Sequence, residues 1–393
     1  MSISQKIKIA TSSSSMIRKM FEEGAILKQK FGADKVYDFS LGNPNVDPPK
    51  DFEEELIKIA REEIPYKHGY MPNAGYPETR QAIAAKINRT SSLNLSGDHV
   101  IMSCGAGGAL NVILKALLDP EDEVIVPVPF FMEYTPYVEN YGGVVRRVKT
   151  RDDFSLNVAA MEAAVNEKTK ALIINSPNNP TGKVYSKENI ADLSLMLEKR
   201  SAELKRTIYL ISDEPYREIV YDNVDVPNIL SIYQNSIIAY SYSKTLSLPG
   251  ERIGYIAVNP EIEAAAELIG ALILCTRISG FVNAPALMQR IVARLQDTTV
   301  EVDVYQRKRD LLCAGLAAAG YKFEKPQGAF YLFPRSPIPD DAAFVQKLLK
   351  KNILVVPGSA FGSPGYFRIA YCVDDATIIN SIAGFAEAIK ECR

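Results

Sequence analysis

The chain has 393 residues, 47% of them apolar and 23% charged, with a formal net charge of -2. That balance predicts a soluble globular protein, of two domains rather than one, with no general basic footprint for nucleic acid. No apolar run approaches the roughly 20 residues of a membrane span, and residues 1–11 lack the apolar centre of a signal peptide, so a cytoplasmic protein with no membrane partner is expected.

In chain order, Met16, Ile17, Met20, Ile26 and Leu27 recur at helical spacing and predict a helix over 16–31, with residues 11–15 as a polar lead-in. A short strand over 36–41 follows. It ends in Gly42-Asn43-Pro44-Asn45-Val46-Asp47-Pro48-Pro49, a rigid loop that reads either as a surface turn or as part of a site. Residues 66–77 set Tyr66, Tyr70 and Tyr76 among Gly and Pro, as packing material or as donors reaching a neighbouring site. A helix is predicted over 78–89.

From Val100 short apolar strands alternate with helices. The strands fall at 99–103, 123–127, 144–149, 170–175, 207–212, 236–241 and 253–258, with helices that include 110–118 and 187–204. Runs such as Ala171-Leu172-Ile173-Ile174 are apolar on both faces, as in a mostly parallel sheet covered by helices. An open α/β sheet of this kind takes its ligands beyond the carboxyl ends of its strands. After residue 285 the pattern becomes a long helical stretch over 286–319, strands at 330–333, 353–356 and 366–372, and helices over 341–350 and 374–390. This is a smaller α+β unit, which the N-terminal helix and strand are expected to join, giving segments 1–45, 46–285 and 286–393. No internal repeat is present.

Candidate chemistry gathers at the strand ends. The stretch Ser241-Tyr242-Ser243-Lys244 leads to Pro249-Gly250-Glu251-Arg252. A lysine there can form a Schiff base if its surroundings lower its pKa, and hydroxyls with an arginine suit a phosphate dianion. An aldehyde-bearing phosphate ester that meets both needs is pyridoxal 5'-phosphate (PLP); an ordinary loop is the alternative. Gly105-Ala106-Gly107-Gly108 opens a helix and could bring backbone N–H groups to a phosphate, or could serve close strand–helix packing. Phe130 and Phe131 end a strand, as core or as a ring stacked on a flat ligand.

The loop Asn175-Ser176-Pro177-Asn178-Asn179-Pro180-Thr181-Gly182 would hold the Asn179 side chain in one direction. Asp213 ends an apolar strand and needs a cationic partner, for which a protonated pyridine nitrogen or a protein cation would serve; Tyr216 follows three positions on. Arg368, inside an apolar strand, needs an anion, either a protein carboxylate or a substrate α-carboxylate. The cysteines Cys104, Cys275, Cys313, Cys372 and Cys392 are scattered, and with only His68 and His99 beside them no metal site is expected.

Taken together, Asn-Pro-Thr-Gly at 179–182, Asp213-x-x-Tyr216, Ser-x-Ser-Lys244, Pro-Gly-x-Arg252-x-Gly and Phe-Arg368-Ile resemble the class I/II aminotransferases of PLP fold type I, from Gly42 to Arg368. The resemblance implies a seven-stranded, mostly parallel α/β large domain and a ping-pong transaminase working through a pyridoxamine form. It makes Lys244 the Schiff-base lysine and proton carrier, Asp213 the partner of the pyridine nitrogen, and Asn179 and Tyr216 the partners of the phenolic oxygen. It places Phe131 on the ring, and Gly105, Ala106, Gly107, Ser241, Ser243 and Arg252 around the phosphate. Tyr70 would reach the phosphate of a neighbouring subunit, so a homodimer is implied. Arg368 would clamp the α-carboxylate of an amino acid or 2-oxo acid, with Gly42 and Asn179 beside the substrate.

This sequence departs from the pattern in having Phe131 where many members have tryptophan, and Ala106 and Gly107 where hydroxyl residues are common. Arg277 lies near the place where aspartate aminotransferases bind a distal carboxylate across the dimer, and is otherwise a surface arginine. With it, aspartate or glutamate is favoured; without it, broad, aromatic or neutral specificity is open. A PLP-dependent lyase of the C–S lyase or aminocyclopropane carboxylate synthase kind would use the same residues. A regulatory PLP-binding protein would normally carry a DNA-binding extension.

Overall fold

The computed structural model describes residues 3–5, 7–8 and 16–392; the polar lead-in expected at 11–15 lies outside them. Strand β1 is Tyr37–Asp38, and the large sheet is built from β2 (Val100–Ser103), β3 (Glu123–Val128), β4 (Val144–Lys149), β5 (Thr169–Asn175), β6 (Tyr209–Asp213), β7 (Ser236–Ser241) and β8 (Gly254–Val258). Their spatial order is β2-β8-β7-β6-β5-β3-β4. Only β8 runs against the others, pairing antiparallel with β2 and β7 while the remaining pairs are parallel.

Period-2 side-chain alternation feeds two cores. Leu172 and Ile174 of β5 enter the cluster on one face, with Ile83, Leu193 and Leu210. Ala171 and Ile173 enter the cluster on the other face, with Leu110, Ile113 and Val126. Because both faces are covered, the inner strands carry almost no polar residues away from their ends. The edge strand β4 is the exception, with Arg146, Arg147 and Lys149 on an otherwise exposed rim, which discourages edge pairing.

The smaller unit has its own core, in which Phe39 from the N-terminal part packs with Phe330, Phe344, Ile369 and Phe385. Its strands are β9 (Tyr331–Leu332), β10 (Ile353–Leu354), β11 (Val356–Pro357) and β12 (Phe367–Ala370). β1 pairs with β10, and β12 lies between β11 and β9. The amino end of the chain is thus tied to this carboxyl-terminal unit by a strand pair.

Two helical expectations need correction. The stretch 286–319 is two helices, Ala286–Arg294 and Val302–Ala319. The intervening Asp297-Thr298-Thr299-Val300 is poor in helix formers, and the Val300 N–H is drawn to the Thr245 carbonyl at 2.8 Å. Met288 and Ile291 of the first helix face the large-sheet core, whereas Leu312 and Leu316 of the second face the small one. The helix expected at 110–118 begins at Gly105, so the glycines form its first turn. Helices Lys50–Arg61 and Ala265–Ile278 were not anticipated.

Candidate active site

The sheet topology explains why distant motifs meet. β2, β3, β5, β6 and β7 all end at one edge, and β8 begins there. Register sets Asn175 beside Asp213, Asp213 beside Ala239, and Ser241 beside Gly254, which in turn faces Ser103. Beyond this edge lies a cavity of about 390 Å³, which Gly42, Tyr331 and Arg368 also line. Of the residues singled out in the sequence, Gly42, Ala106, Gly107, Phe131, Asn179, Asp213, Tyr216, Ser241, Ser243, Lys244, Arg252 and Arg368 line it.

Lys244 sits in the one-turn helix Tyr242–Thr245, which follows β7 directly. Its Nζ donates to the Gly42 carbonyl at 2.8 Å. Burial lowers its pKa to about 8, with Arg252 and Arg368 pushing the same way. A neutral amine is therefore accessible near neutral pH.

Asp213 is buried, and Tyr134 OH donates to its Oδ2 at 2.6 Å, while Oδ1 has no partner. Burial pushes its carboxyl up to about 7. A buried carboxylate oxygen left unpaired is costly, so Oδ1 fits a cationic N–H supplied from the cavity. The loop carrying Asn179 is pinned because Asn175 Nδ2 donates to the Asp213 carbonyl at 2.8 Å and Asn175 Oδ1 accepts from the Asn179 N–H at 2.7 Å.

Arg368, on β12, is 2% exposed. It donates to Asn179 Oδ1 at 3.1 Å and to the Ser40 carbonyl at 2.6 Å, while its Nε has no partner. No carboxylate pairs with it among the described residues, and burial lowers its pKa. Its guanidinium lies 4.7 Å from the Tyr331 ring centroid and 4.8 Å from that of Phe361. A desolvated guanidinium beside two rings and without a carboxylate partner suits a carboxylate from outside the chain.

At the opposite end, the helix Gly105–Leu117 points its N-terminus at the cavity with no acidic residue in its first turn. Ser241 Oγ and Ser243 Oγ are 2.7 Å apart, and Arg252 donates to the Pro249 and Cys104 carbonyls at 3.0 and 3.3 Å. Here glycine is required by conformation at Gly105, whose φ is +71°, and by space at Gly254. A Cβ on Gly105 would sit 2.9 Å from an Arg252 nitrogen, and one on Gly254 would collide with the Tyr240 carbonyl and come within 3.0 Å of Gly105 Cα. Helix N-terminus, hydroxyls and guanidinium together suit a phosphate dianion. Gly254→Ala is expected to cost about 1–3 kcal/mol of stability, checked by thermal unfolding.

Several residues of the site, Tyr137 among them, were missed in the sequence. Tyr331, on β9, has its hydroxyl 2.8 Å from that of Tyr216 and stands under Arg368. Tyr134 braces Asp213, and Glu133 lines the cavity. An apolar strand and an aromatic run gave no signal that one of their members faces inward. Tyr70 and Arg277 do not line the cavity of a single chain; Tyr70 is 93% exposed, and Arg277 is exposed in the last turn of helix Ala265–Ile278. No group of three potential metal ligands occurs among the described residues, nor is any helix long and apolar enough to cross a membrane.

Over residues 34–384 the chain matches the family described as aminotransferase class I and II. A probable aspartate/prephenate aminotransferase of Aquifex aeolicus is 32% identical over 377 residues, 91% of each chain. The crystal structure of an amino transferase from Eubacterium rectale is similar, with a TM-score of 0.97 and 40% identity over 100% of this chain and 99% of that one. So is the aspartate aminotransferase from Thermus thermophilus with maleate, with a TM-score of 0.86 and 28% identity over 99% of this chain and 100% of that one.

Proposed function

The chain belongs to the class I and II aminotransferases, a PLP-dependent family, and from that premise we propose that it moves the amino group of an acidic L-amino acid to a 2-oxo acid, with Lys244 as the reactive amine. One observation carries this reading. A single cavity brings together a lysine of lowered pKa, a buried carboxylate oxygen without a partner and a buried arginine without a carboxylate.

PLP, when bound, supplies an electron sink for the charge that develops at the substrate Cα. Asp213 would hold the ring nitrogen protonated through Oδ1. Asn179 and Tyr216 would take the phenolic oxygen, and Phe131 would cover a ring face. The backbone of Gly105, Ala106 and Gly107, with Ser241, Ser243 and Arg252, would hold the phosphate. Arg368 binds the α-carboxylate and fixes Cα relative to Lys244, beside Gly42. Lys244 would hold the cofactor through its amine and would carry the proton to and from the substrate Cα.

Aspartate-type specificity is supported by the names of the relatives and by the dicarboxylate, maleate, in the Thermus structure. We extend the proposal to a homodimer in which Tyr70 reaches the neighbouring phosphate and Arg277 the distal carboxylate; the near-complete exposure of Tyr66 and Tyr70 is consistent with a covered loop. We also propose residues 1–45 and 286–393 as one domain and 46–285 as the other, with the helix Ala286–Arg294 crossing that boundary to pack on the large-sheet core, and a cytoplasmic location.

Titration of the PLP-loaded protein with L-aspartate, L-glutamate, L-alanine and L-phenylalanine tests the reading. Loss of the visible band with the acidic donors, regained with the matching 2-oxo acid, supports it. Release of ammonia and a 2-oxo acid without an acceptor would instead indicate a lyase.

Glu133 qualifies the specificity. Burial raises its carboxyl above the ordinary range, and no cation pairs with it among the described residues. Ionised, it opposes a second substrate carboxylate. Glu133→Gln is expected to raise kcat/KM for aspartate relative to alanine about three- to tenfold, measured side by side.

A further inference from the structure

Behind Lys244, away from the cavity, a second polar cluster grips the element that carries it. Glu218 lies two residues beyond Tyr216, on the same segment as Asp213. Its Oε2 accepts from Tyr240 OH at 2.8 Å and from Thr245 Oγ1 at 3.0 Å, and its Oε1 accepts from Lys86 Nζ at 2.8 Å. The two hydroxyls are themselves 3.0 Å apart. Thr245 is 1% exposed, and its carbonyl is also engaged, by the Val300 N–H at 2.8 Å and by Thr299 Oγ1 at 3.3 Å. The residue that follows Lys244 is therefore held at both side chain and backbone, and Lys244 itself reaches the other way, to Gly42.

A one-turn helix has almost no rigidity of its own, because its few backbone bonds fix little. What fixes the Lys244 Cα must come from outside. β7 supplies one anchor through Ser241 and Tyr240, whose ring stacks on Tyr255 with centroids 4.6 Å apart. Glu218 supplies the other, bonding both Tyr240 OH and the Thr245 hydroxyl from a position two residues beyond Tyr216. Burial opposes the charge on Glu218, but Lys86 and the hydroxyl bonds outweigh it and keep its pKa below the ordinary range. The carboxylate is thus a charged acceptor, the stronger kind of hydrogen-bond partner.

We propose that Glu218 is a positioning residue for Lys244, acting through Thr245 to set where the lysine amine stands relative to Asp213 and Arg368. It does not touch the cavity's contents. It ties the segment bearing Asp213 and Tyr216 to the turn bearing Lys244, so that the two keep one spacing when the cavity is filled. The inference rests on Lys244 being the reactive amine, as proposed above.

The test uses the full-length protein with and without PLP, and the variants Glu218→Ala, Glu218→Gln, Thr245→Val and the Glu218→Ala/Thr245→Val pair. Misplacing a reacting group by an ångström can cost about 100-fold. Glu218→Ala is expected to lower kcat about 10- to 100-fold with KM changed less than about twofold, and Glu218→Gln, whose oxygen still accepts both hydroxyls although its amide nitrogen no longer accepts from Lys86, to recover part of that. Thr245→Val should match Glu218→Ala, and the pair should be no worse than either alone, since both cut one path.

Two further readouts do not depend on turnover. The pH midpoint of the visible spectrum of the loaded enzyme should move in Glu218→Ala and Thr245→Val but not in Glu218→Gln. In the cofactor-free protein, the pH dependence of Lys244 acylation, followed by mass spectrometry, should move likewise. Equal losses of thermal stability with both midpoints and kcat unmoved would overturn the proposal and leave a structural ion pair. Should Glu218→Ala fail to fold, Thr245→Val decides by the same readouts. A Lys244→Ala protein that keeps the wild-type spectrum would overturn the premise and the inference together.

Discussion

Lys244→Ala is expected to abolish transamination and to remove the visible band that PLP gives when joined to the protein, while the fold survives. Removal of a base alone costs about 10²- to 10⁴-fold, and here the same amine also binds the cofactor, so the loss should lie at or beyond the upper end. The side chain makes one hydrogen bond, to the Gly42 carbonyl, and lines a cavity rather than a packed core, so its truncation leaves no new void inside a cluster. Thermal unfolding of the cofactor-free variant should be near that of wild type or above it. The wild-type amine carries a pKa of about 8 because burial disfavours its charge. Its neutral fraction should therefore rise about tenfold between pH 7 and pH 9, and the rate of PLP capture with it; an ordinary lysine would remain almost wholly protonated at pH 7. A capture rate flat across that range, or a Lys244→Ala protein with the wild-type band, would refute the assignment.

Asp213→Asn should separate function from stability. With its carboxyl pushed up to about 7, Asp213 binds a proton in the folded chain at pH values where the unfolded chain, with the ordinary value near 3.8, has lost it. Between about pH 4 and pH 7 the folded state therefore holds more protons, and stability of the cofactor-free protein falls as pH rises through that window. The penalty is absent below about pH 4 and complete above about pH 7. Asparagine cannot ionise, so the cofactor-free variant should lack this slope and be more stable than wild type at pH 8. Catalysis should go the other way. The unpaired Oδ1 is the charge placed for the ring nitrogen, and removing one fixed electrostatic partner typically costs about 10²- to 10³-fold. Parallel unfolding curves at pH 5 and pH 8, with single-turnover rates, check both halves. A variant equally active would show that Asp213 is a structural carboxylate, and one with the wild-type pH slope would show that another group sets that slope.

Both expectations concern residues that could be named from the sequence, and there is a reason they could. Lys244, Asp213, Asn179 and the glycines at 105 and 107 stand where an apolar run stops and a run of Gly, Pro or hydroxyl residues begins. Strand ends are local features, set by hydrophobic periodicity and turn chemistry within about ten residues. The near-continuous apolar strands likewise determined a covered, mostly parallel sheet, and the sheet determined that its carboxyl edge would hold the site.

Tertiary structure decided the rest. Tyr331 reaches Tyr216 across 115 positions of sequence, and Arg368 reaches Asn179 across 189, through a strand that looks like ordinary core. The helix expected over 286–319 breaks where Val300 bonds the Thr245 carbonyl, a partner invisible to local propensity. Tyr134 and Glu218 acquire their roles only because strand register sets Asp213 beside Ala239 and brings Thr245 over the segment after β6. The chain's local order fixes which residue types end each strand. Which of them face one another depends on register and on packing between two cores, and those are settled by long-range contacts that no short stretch of sequence contains.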